Sequence, residues 1–205
     1  MTRPEFQPPD VVDGLPNVLL LGDSISIGYH LPARRLLEGV VNVYRPLANC
    51  AATRDGLEQL DKWLGDPAWG LIHFNFGLHD IKLVGGEGDV VEPAGCHQVS
   101  IEEYERNLDA IVKRLKRAAG KLIWASTTPV PAGAGGRRKG DEVQFNGVAA
   151  QVMKRHDVLT NNLYAFAFAR LEEIQMPANV HFTDAGSETL AGAVAGAIRQ
   201  ALSAE

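Results

Sequence analysis

Five short apolar runs, separated by segments with helical periodicity, constrain the fold of this chain most strongly. Each run is continuous and rich in β-branched or aromatic residues, as expected for strands covered on both faces. Strands that alternate with helices in this way form βαβ units and a parallel sheet. The predicted strands are Val18–Leu21, Val40–Tyr44, Leu71–Phe76, Leu122–Ser126 and Val158–Thr160.

The segments between the strands carry readable helix signals. Ser100 and Glu103 have the spacing of a capping box, which marks a helix start. The last helix places Leu190, Val194 and Ile198 four residues apart. A chain of 205 residues is within the size range of one domain. We therefore expect a single α/β domain over residues 1–205, a three-layer α/β/α sandwich with a short parallel sheet and flavodoxin-like topology, and an extended segment at residues 1–16.

Composition bears on the binding partners, the localisation and the cysteine chemistry of the protein. A net charge of −5 gives no electrostatic argument for binding nucleic acid, which would require a basic face, and the longest apolar runs are too short to cross a bilayer. The first sixteen residues lack the apolar stretch of a secretory signal, which predicts a cytoplasmic protein, or a secreted or periplasmic one if a signal has been removed. Cys50 and Cys96 fall in segments expected at the same rim of the sheet, which leaves two free thiols or one disulfide open.

Candidate chemistry lies at the two ends of the chain. The first strand breaks at Gly22 and is followed by Asp23 and Ser24, at the carboxyl end where α/β sheets place their reactive groups. His181 comes just before the last predicted helix. A serine hydroxyl is a poor nucleophile unless a base takes its proton, and imidazole is such a base. Ser24 and His181 are therefore the candidate nucleophile and base.

Four segments in a fixed order resemble the sequence blocks of the SGNH (GDSL-type) hydrolases. They are GDSIS at 22–26, NCAATR at 49–54, GLHD at 77–80 and VHFTDAG at 180–186. The third block normally reads Gly-x-Asn-Asp, and Gly-Leu-His-Asp resembles a bacterial subgroup of the family. The resemblance implies a serine carboxylic-ester hydrolase that needs no metal or organic cofactor. By family analogy its substrate is a small-molecule or carbohydrate ester, such as a carbohydrate O-acetyl group.

The resemblance also assigns roles residue by residue. Ser24 is the nucleophile, His181 the base, and the oxyanion hole consists of the Ser24 amide, the Arg54 amide and the His79 side chain. Arg54 replaces the family's glycine, but its backbone N–H is retained. His79 replaces the family's asparagine, and a neutral imidazole still has one N–H to donate.

A departure from the family concerns the acid that orients the histidine. That aspartate normally lies three residues before the histidine, where this chain has Ala178. The imidazole must then be held by a backbone carbonyl, by Asn179, or by an acid from elsewhere. Asp23, Asn49 and Asp80 are further candidates for supporting the site, whereas Asp184 is expected to stabilise the start of the last helix.

Two alternatives remain beside the hydrolase. The altered oxyanion hole and the missing acid are also consistent with a catalytically degenerate binding protein on the same scaffold. A metal held between His79, Asp80 and His181 is the third hypothesis. Two long loops, at 83–99 and 129–140, are expected to overhang the site, and the second carries basic residues that either bind an acidic substrate or form a solvated tip: Arg137, Arg138 and Lys139.

Overall fold

A five-stranded parallel sheet is the centre of the molecule. The structure is a computed structural model that describes residues 3–85 and 95–204. The strands of the sheet are β1 (Asn17–Leu21), β2 (Asn42–Tyr44), β3 (Trp69–Phe74), β6 (Ala119–Ala125) and β7 (Leu159–Asn161). Their order is β2-β1-β3-β6-β7, with every neighbouring pair parallel. The flavodoxin-like order expected from the sequence is confirmed.

Helices cover both faces of this sheet, which confirms the three-layer architecture. On one face α1 packs against α7, and on the other α2 packs against α3 and α3 against α4. A short antiparallel pair, β4 (Leu83–Val84) with β5 (Cys96–His97), lies outside the main sheet. The helices are α1 (Ser24–Leu36), α2 (Thr53–Leu64), α3 (Ile101–Ala118), α4 (Asp141–Arg155), α5 (Leu163–Phe168), α6 (Leu171–Ile174) and α7 (Asp184–Ser203), and Pro4–Phe6 form a 3₁₀ turn.

The strands begin and end slightly differently from the sequence prediction. The predicted third strand, Leu71–Phe76, is observed as Trp69–Phe74. Beyond it, a Cβ added at Gly77 would lie 2.0 Å from Thr127 Oγ1. Only glycine permits this close approach, because any side chain would collide with the chain that follows β6.

Burial of the strands explains why these residues form the sheet. The side chains of β1 from Val18 to Leu21 are all inaccessible or nearly so, and Phe74 and Trp124 are buried in β3 and β6. Full burial on both faces accounts for the absence of polar alternation along these segments. In the part of the chain that the structure describes, no helix is long and apolar enough to span a membrane.

The two cysteines are separate free thiols. Cys50 is buried below the start of α2, and Cys96 is exposed in β5. Burial raises the pKa of the Cys50 thiol to about 12. Of the two alternatives left open by the sequence, the disulfide is therefore not formed.

Candidate active site

Ser24 is the first residue of α1 and follows β1 after a two-residue turn. Asp23 caps this helix, and its Oδ1 accepts a hydrogen bond from Ile25 N at 2.9 Å. The first backbone bond of the helix runs from Ile27 N to Asp23 O. The Ser24 N–H therefore has no acceptor within the helix and is available at its positive end.

The structure brings Ser24 and His181 together across 157 residues of sequence. Ser24 Oγ and His181 Nε2 are 2.9 Å apart. On the other side of the ring, Asn179 Oδ1 lies 2.8 Å from His181 Nδ1 and also accepts from His181 N at 3.0 Å. The three side chains thus form a continuous chain from hydroxyl to imidazole to amide.

The backbone bond to Asn179 determines where the ring proton lies. A backbone N–H can only donate, so the atom that faces His181 must be the amide oxygen of Asn179 and not its nitrogen. The same oxygen then accepts from Nδ1, which places the ring proton there. Nε2 is left with its lone pair toward Ser24, whose hydroxyl donates to it. Of the three ways of holding the imidazole that the sequence allowed, the observed one is Asn179.

The loop around His181 is held by backbone pairing and by one buried side chain. Met176 N donates to His181 O at 3.0 Å, closing a turn in which Ala178 has φ of 50°. Gln175 is buried, and its Nε2 donates to Val180 O at 3.1 Å and to Pro129 O at 2.8 Å. Sequence analysis missed Gln175, because an amide in an irregular segment looks like any surface residue.

Arg54 occupies the second position of α2. The first backbone bond of this helix runs from Gly56 N to Ala52 O, so the Arg54 N–H has no acceptor within the helix. The guanidinium turns away to Glu103, with Nε and Nη2 each 2.6 Å from a carboxylate oxygen. The amide of Arg54, and not its charge, is thus available for the role that the resemblance assigns.

One backbone bond ties the segment before α2 to the turn that carries the serine. Cys50 N donates to Gly22 O at 3.2 Å, directly before Asp23 and Ser24. Asn49 is exposed beside Ser24 and His181, and its Oδ1 accepts from Ala51 N at 2.9 Å. The positions of the two helix starts are therefore coupled through the chain between β2 and α2.

Asp80 supports α2 from beneath. Its Oδ1 accepts from Thr53 N at 3.0 Å and from Thr53 Oγ1 at 2.6 Å, while its Oδ2 is buried without a partner among the described residues. Burial raises the pKa of Asp80 to about 7, against the lowering effect of the Thr53 bonds. The carboxyl therefore acts as a buried anchor for the helix that presents the Arg54 amide.

His79 lies half-buried next to Asp80, in the third block. Burial lowers the pKa of its imidazole, and the positive charges of Arg137 and Lys82 lower it further, while the charge of Asp23 opposes the shift. The ring is thus neutral at pH 7 and has one N–H to donate.

The loop at 129–140 packs against the site through its basic residues. Arg137 Nε donates to Leu78 O at 2.6 Å, one residue before His79, and Arg138 Nη2 donates to Gly95 O at 2.6 Å. Lys139 is exposed. Part of the other overhanging loop, residues 86–94, lies outside the described residues. Arg137 is half-buried and holds the loop against the third block, whereas Arg138 and Lys139 are exposed, as the solvated-tip alternative expects.

The metal hypothesis has no geometric support. Over residues 3–85 and 95–204, no group of three His, Cys, Asp or Glu side chains is arranged to hold an ion. In particular, His79, Asp80 and His181 do not form such a group.

An open cleft of about 770 Å³ leads to the serine and the histidine. Its walls come from α1, from the start of α7 and from the amino-terminal segment, and Asn49 lies in its lining beside Ser24 and His181. His181 is exposed and Ser24 is half-buried, so the pair is accessible from this cleft.

Solved structures of several hydrolases share this fold. A lipase/acylhydrolase from Enterococcus faecalis superposes with a TM-score of 0.75 at 18% identity, covering 91% of this chain and 97% of its own. Axe2, an acetylxylan esterase from Geobacillus stearothermophilus, gives 0.69 at 19% identity, over 89% and 94%. The acetyl xylan esterase AlAXEase gives 0.68 at 12% identity, over 89% and 99%.

Sequence comparisons add no relative. No family model matches the chain, and no curated protein matches it. At the identities above, the structural similarity establishes the fold.

Proposed function

We propose that this protein is a serine carboxylic-ester hydrolase of the SGNH type. The observation that carries the proposal is the hydrogen-bonded chain from Ser24 through His181 to Asn179, with the ring nitrogen nearest the serine free to accept a proton. A serine, a base and a group that orients the base are the parts that acyl transfer to a hydroxyl requires. The names of the structural neighbours, two acetyl xylan esterases and a lipase/acylhydrolase, support the same reaction class.

In the first half of the reaction, Ser24 Oγ attacks the ester carbonyl while His181 Nε2 takes the hydroxyl proton. The resulting imidazolium keeps its Nδ1–H on Asn179 Oδ1. The carbon–oxygen bond to the alcohol then breaks, and His181 returns the proton to the leaving alkoxide. The product of this half is an acyl-enzyme on Ser24.

The negative charge on the carbonyl oxygen is stabilised by fixed donors. The Ser24 and Arg54 amides are at the positive ends of α1 and α2, and neither has an intrahelical acceptor. The neutral imidazole of His79 supplies the third donor. The two amides are fixed by their helices before the reaction, so they need not reorganise as charge develops.

Deacylation repeats the sequence with water. His181 removes a proton from the water as it attacks the acyl carbon, and then gives the proton to Ser24 Oγ as the acyl bond breaks. The carboxylic acid leaves, and the enzyme returns to its starting state. No proton passes through Asn179, which acts only on the orientation and tautomer of the ring.

For the substrate, small acyl esters fit the proposal best, with acetyl groups on carbohydrate as the leading class. This assignment rests on the neighbours that act on acetyl xylan and on the accessible position of the serine. Within the family, the Gly77-Leu78-His79-Asp80 segment suggests the subgroup with histidine in the third block.

Labelling with a fluorophosphonate tests the nucleophile without the natural substrate. We expect the intact mass to increase by one phosphonyl group, with the adduct mapped to the peptide that contains Ser24. Ser24→Ala should give no adduct, and His181→Ala should label far more slowly, because the base is missing.

The matched control for the serine is Ser203→Ala, a hydroxyl at the end of α7 that should label like the wild type. Labelling of Ser24→Ala at the wild-type rate would contradict the nucleophile assignment. No labelling of the wild type, together with no turnover of a panel of acyl esters, would favour the binding protein.

A further inference from the structure

The two histidines of the candidate site differ in how their rings are held. The His181 ring is fixed through Nδ1 by Asn179 Oδ1 at 2.8 Å. Over residues 3–85 and 95–204, the half-buried imidazole of His79 makes no hydrogen bond. The direction of its N–H therefore depends on the backbone that carries the ring and on the charges around it.

The backbone at His79 forms a short turn that is closed by its own bonds. Ile81 N donates to Gly77 O at 3.0 Å, and Lys82 N donates to His79 O at 3.2 Å. These bonds fix the shape of the turn but not its place relative to the serine. Its place must come from contacts with other segments.

The loop at 129–140 holds this turn on both sides of His79. Arg137 Nε donates to Leu78 O at 2.6 Å, and Leu83 N donates to Gly136 O at 2.8 Å. Two consecutive loop residues thus bond to the chain just before and just after the turn. The bond from Arg137 is made by a side chain to the carbonyl directly before His79, so a substitution can remove it alone.

The charge of Arg137 reaches both the third block and the start of α1. The guanidinium is half-buried; burial lowers its pKa, and the charge of Asp23, the cap residue directly before Ser24, raises it. An arginine keeps its charge at neutral pH even so. Burial is the main cause that lowers the pKa of the His79 imidazole, and the guanidinium of Arg137 lowers it further, against the opposing charge of Asp23.

We propose that Arg137 is a positioning residue of the oxyanion hole and that it acts through His79. Its bond to Leu78 O holds the turn so that the imidazole N–H faces the carbonyl oxygen of the ester. Its charge disfavours the imidazolium, which keeps one ring nitrogen as a donor and the other as an acceptor. Because an oxyanion donor is effective only when its geometry is set before charge develops, a small displacement of the turn is costly. This inference rests on the proposed ester hydrolase and adds a residue to its machinery.

A double-mutant cycle on kcat for p-nitrophenyl acetate tests whether Arg137 acts through His79. His79→Ala removes a donor and should lower kcat about 10²–10³-fold. Arg137→Ala should lower kcat about tenfold and leave KM within about twofold, because the donor is retained but misplaced. In the His79→Ala background, Arg137→Ala should have no further effect. The same loss in both backgrounds would overturn the proposal.

The matched control is the next residue of the same loop. Arg138 Nη2 also donates to a backbone carbonyl at 2.6 Å, but the carbonyl is that of Gly95 and not of the third block. Arg138→Ala should therefore keep the wild-type kcat. Arg137→Lys, which retains a positive charge and a donor, should recover most of the activity lost in Arg137→Ala. Equal losses in Arg137→Ala and Arg138→Ala would mean that the loop acts as a whole, which contradicts the proposal.

The pKa of His79 gives a readout that needs no substrate. An NMR titration of the imidazoles measures it, and His79→Asn assigns the resonance. Arg137→Gln removes the charge and keeps a donor for Leu78 O, so the pKa of His79 should rise. Arg138→Gln should leave it unchanged. A wild-type pKa of His79 in Arg137→Gln would show that the guanidinium does not act on the imidazole, and the proposal would be wrong.

The failures of the two proposals are distinguishable. If p-nitrophenyl acetate is cleaved through Ser24 and Arg137→Ala keeps the wild-type kcat, the positioning role is wrong and the hydrolase remains. If the ester is not cleaved and Ser24 is not labelled, the proposed function fails, and the role of Arg137 fails with it.

Discussion

The nucleophile and the base of the candidate site are positioned by two different kinds of structure. Ser24 is at the junction of a buried strand and a helix, and the Arg54 amide is at the start of a second helix anchored by Asp80. His181 instead belongs to an irregular, largely exposed loop between α6 and α7. That loop is held by a backbone pair, by Gln175 and by Asn179.

The difference shows which half of the candidate site depends on regular secondary structure and which half depends on a few side chains. The serine side is built into the sheet, so its geometry follows from the packing of regular elements. On the histidine side, the orienting group can come from a neighbouring residue, provided that one oxygen reaches both the backbone N–H and the ring. Asn179 does this from two residues before His181, while Ala178 is in the turn with a φ of 50°.

The largest expected effect comes from removing the reactive pair. Ser24→Ala and His181→Ala should each lower kcat for p-nitrophenyl acetate by several orders of magnitude, on the order of 10⁶ where such a pair acts as one unit. Because the two groups act together, the double variant should lose little more than either single variant. Additive losses in steady-state kinetics would mean that the two sides act independently.

Asn179 provides the next test, on the histidine side. Asn179→Ala removes the acceptor of both His181 N–H groups, which costs about 1–3 kcal/mol and should lower kcat about ten- to a hundredfold. KM should change little. Asn179→Asp keeps an oxygen at that place and should retain most of the activity.

The pH profile separates orientation from a merely structural role. In Asn179→Asp the added carboxylate favours the imidazolium, so the acid limb of kcat/KM should move to higher pH. An unchanged profile, together with wild-type activity in Asn179→Ala, would show that the backbone alone holds the ring.

Gln175 should have a smaller effect, mainly on the loop. Gln175→Leu leaves Val180 O without its partner and should lower the free energy of unfolding by about 1–3 kcal/mol, with a few-fold loss in kcat. Urea unfolding and steady-state kinetics measure the two effects. Gln151→Leu, an exposed position on α4, is the control and should change neither. Equal behaviour of the two variants would mean that Gln175 does not hold the loop.

The smallest effect on activity is expected on the serine side, where Asp80 gives a pH dependence of stability. The folded pKa of Asp80 is about 7, above that of an unfolded aspartate, so its contribution to stability is complete below about pH 4 and is lost as pH rises through 7. Asp80→Asn should remove this dependence and gain about 2–3 kcal/mol relative to the wild type as pH rises from 5 to 8.

The free energy of unfolding of Asp80→Asn must be compared with that of the wild type at each pH, because other buried groups also titrate. Burial lowers the pKa of His30 to about 3 and of His73 to about 4, and these groups stabilise the fold as pH rises, which is the opposite sign. Urea midpoints of the wild type and of Asp80→Asn, each measured at pH 5 and at pH 8, isolate the contribution of the Asp80 carboxyl to stability. A constant difference between the proteins would mean that Asp80 ionises normally.

The sequence predicted the serine side better than the histidine side for a physical reason. Strand burial, helix caps and the turn at Gly22 are local, and their residue types are restricted by backbone conformation and packing. Strand ends were less well placed, because they depend on pairing with residues far apart in the chain: Trp69, outside the predicted third strand, pairs with Ala119 in β6.

The sequence by itself determined the alternation of strands and helices that forms a parallel α/β sheet, and the two ends of the chain that carry Ser24 and His181, since these depend on periodicity and on short motifs. Only the tertiary structure decided that Asn179 contacts the imidazole, that Gln175 holds its loop, and that Phe6 lines the cleft. Each of these depends on a contact that no local sequence pattern specifies. The Asn179 oxygen accepts from two N–H groups, the buried Gln175 amide donates to two carbonyls, and the Phe6 ring lies beside the Arg45 guanidinium. Such contacts arise from the packing of the whole chain, which fixes distances that spacing along the sequence does not.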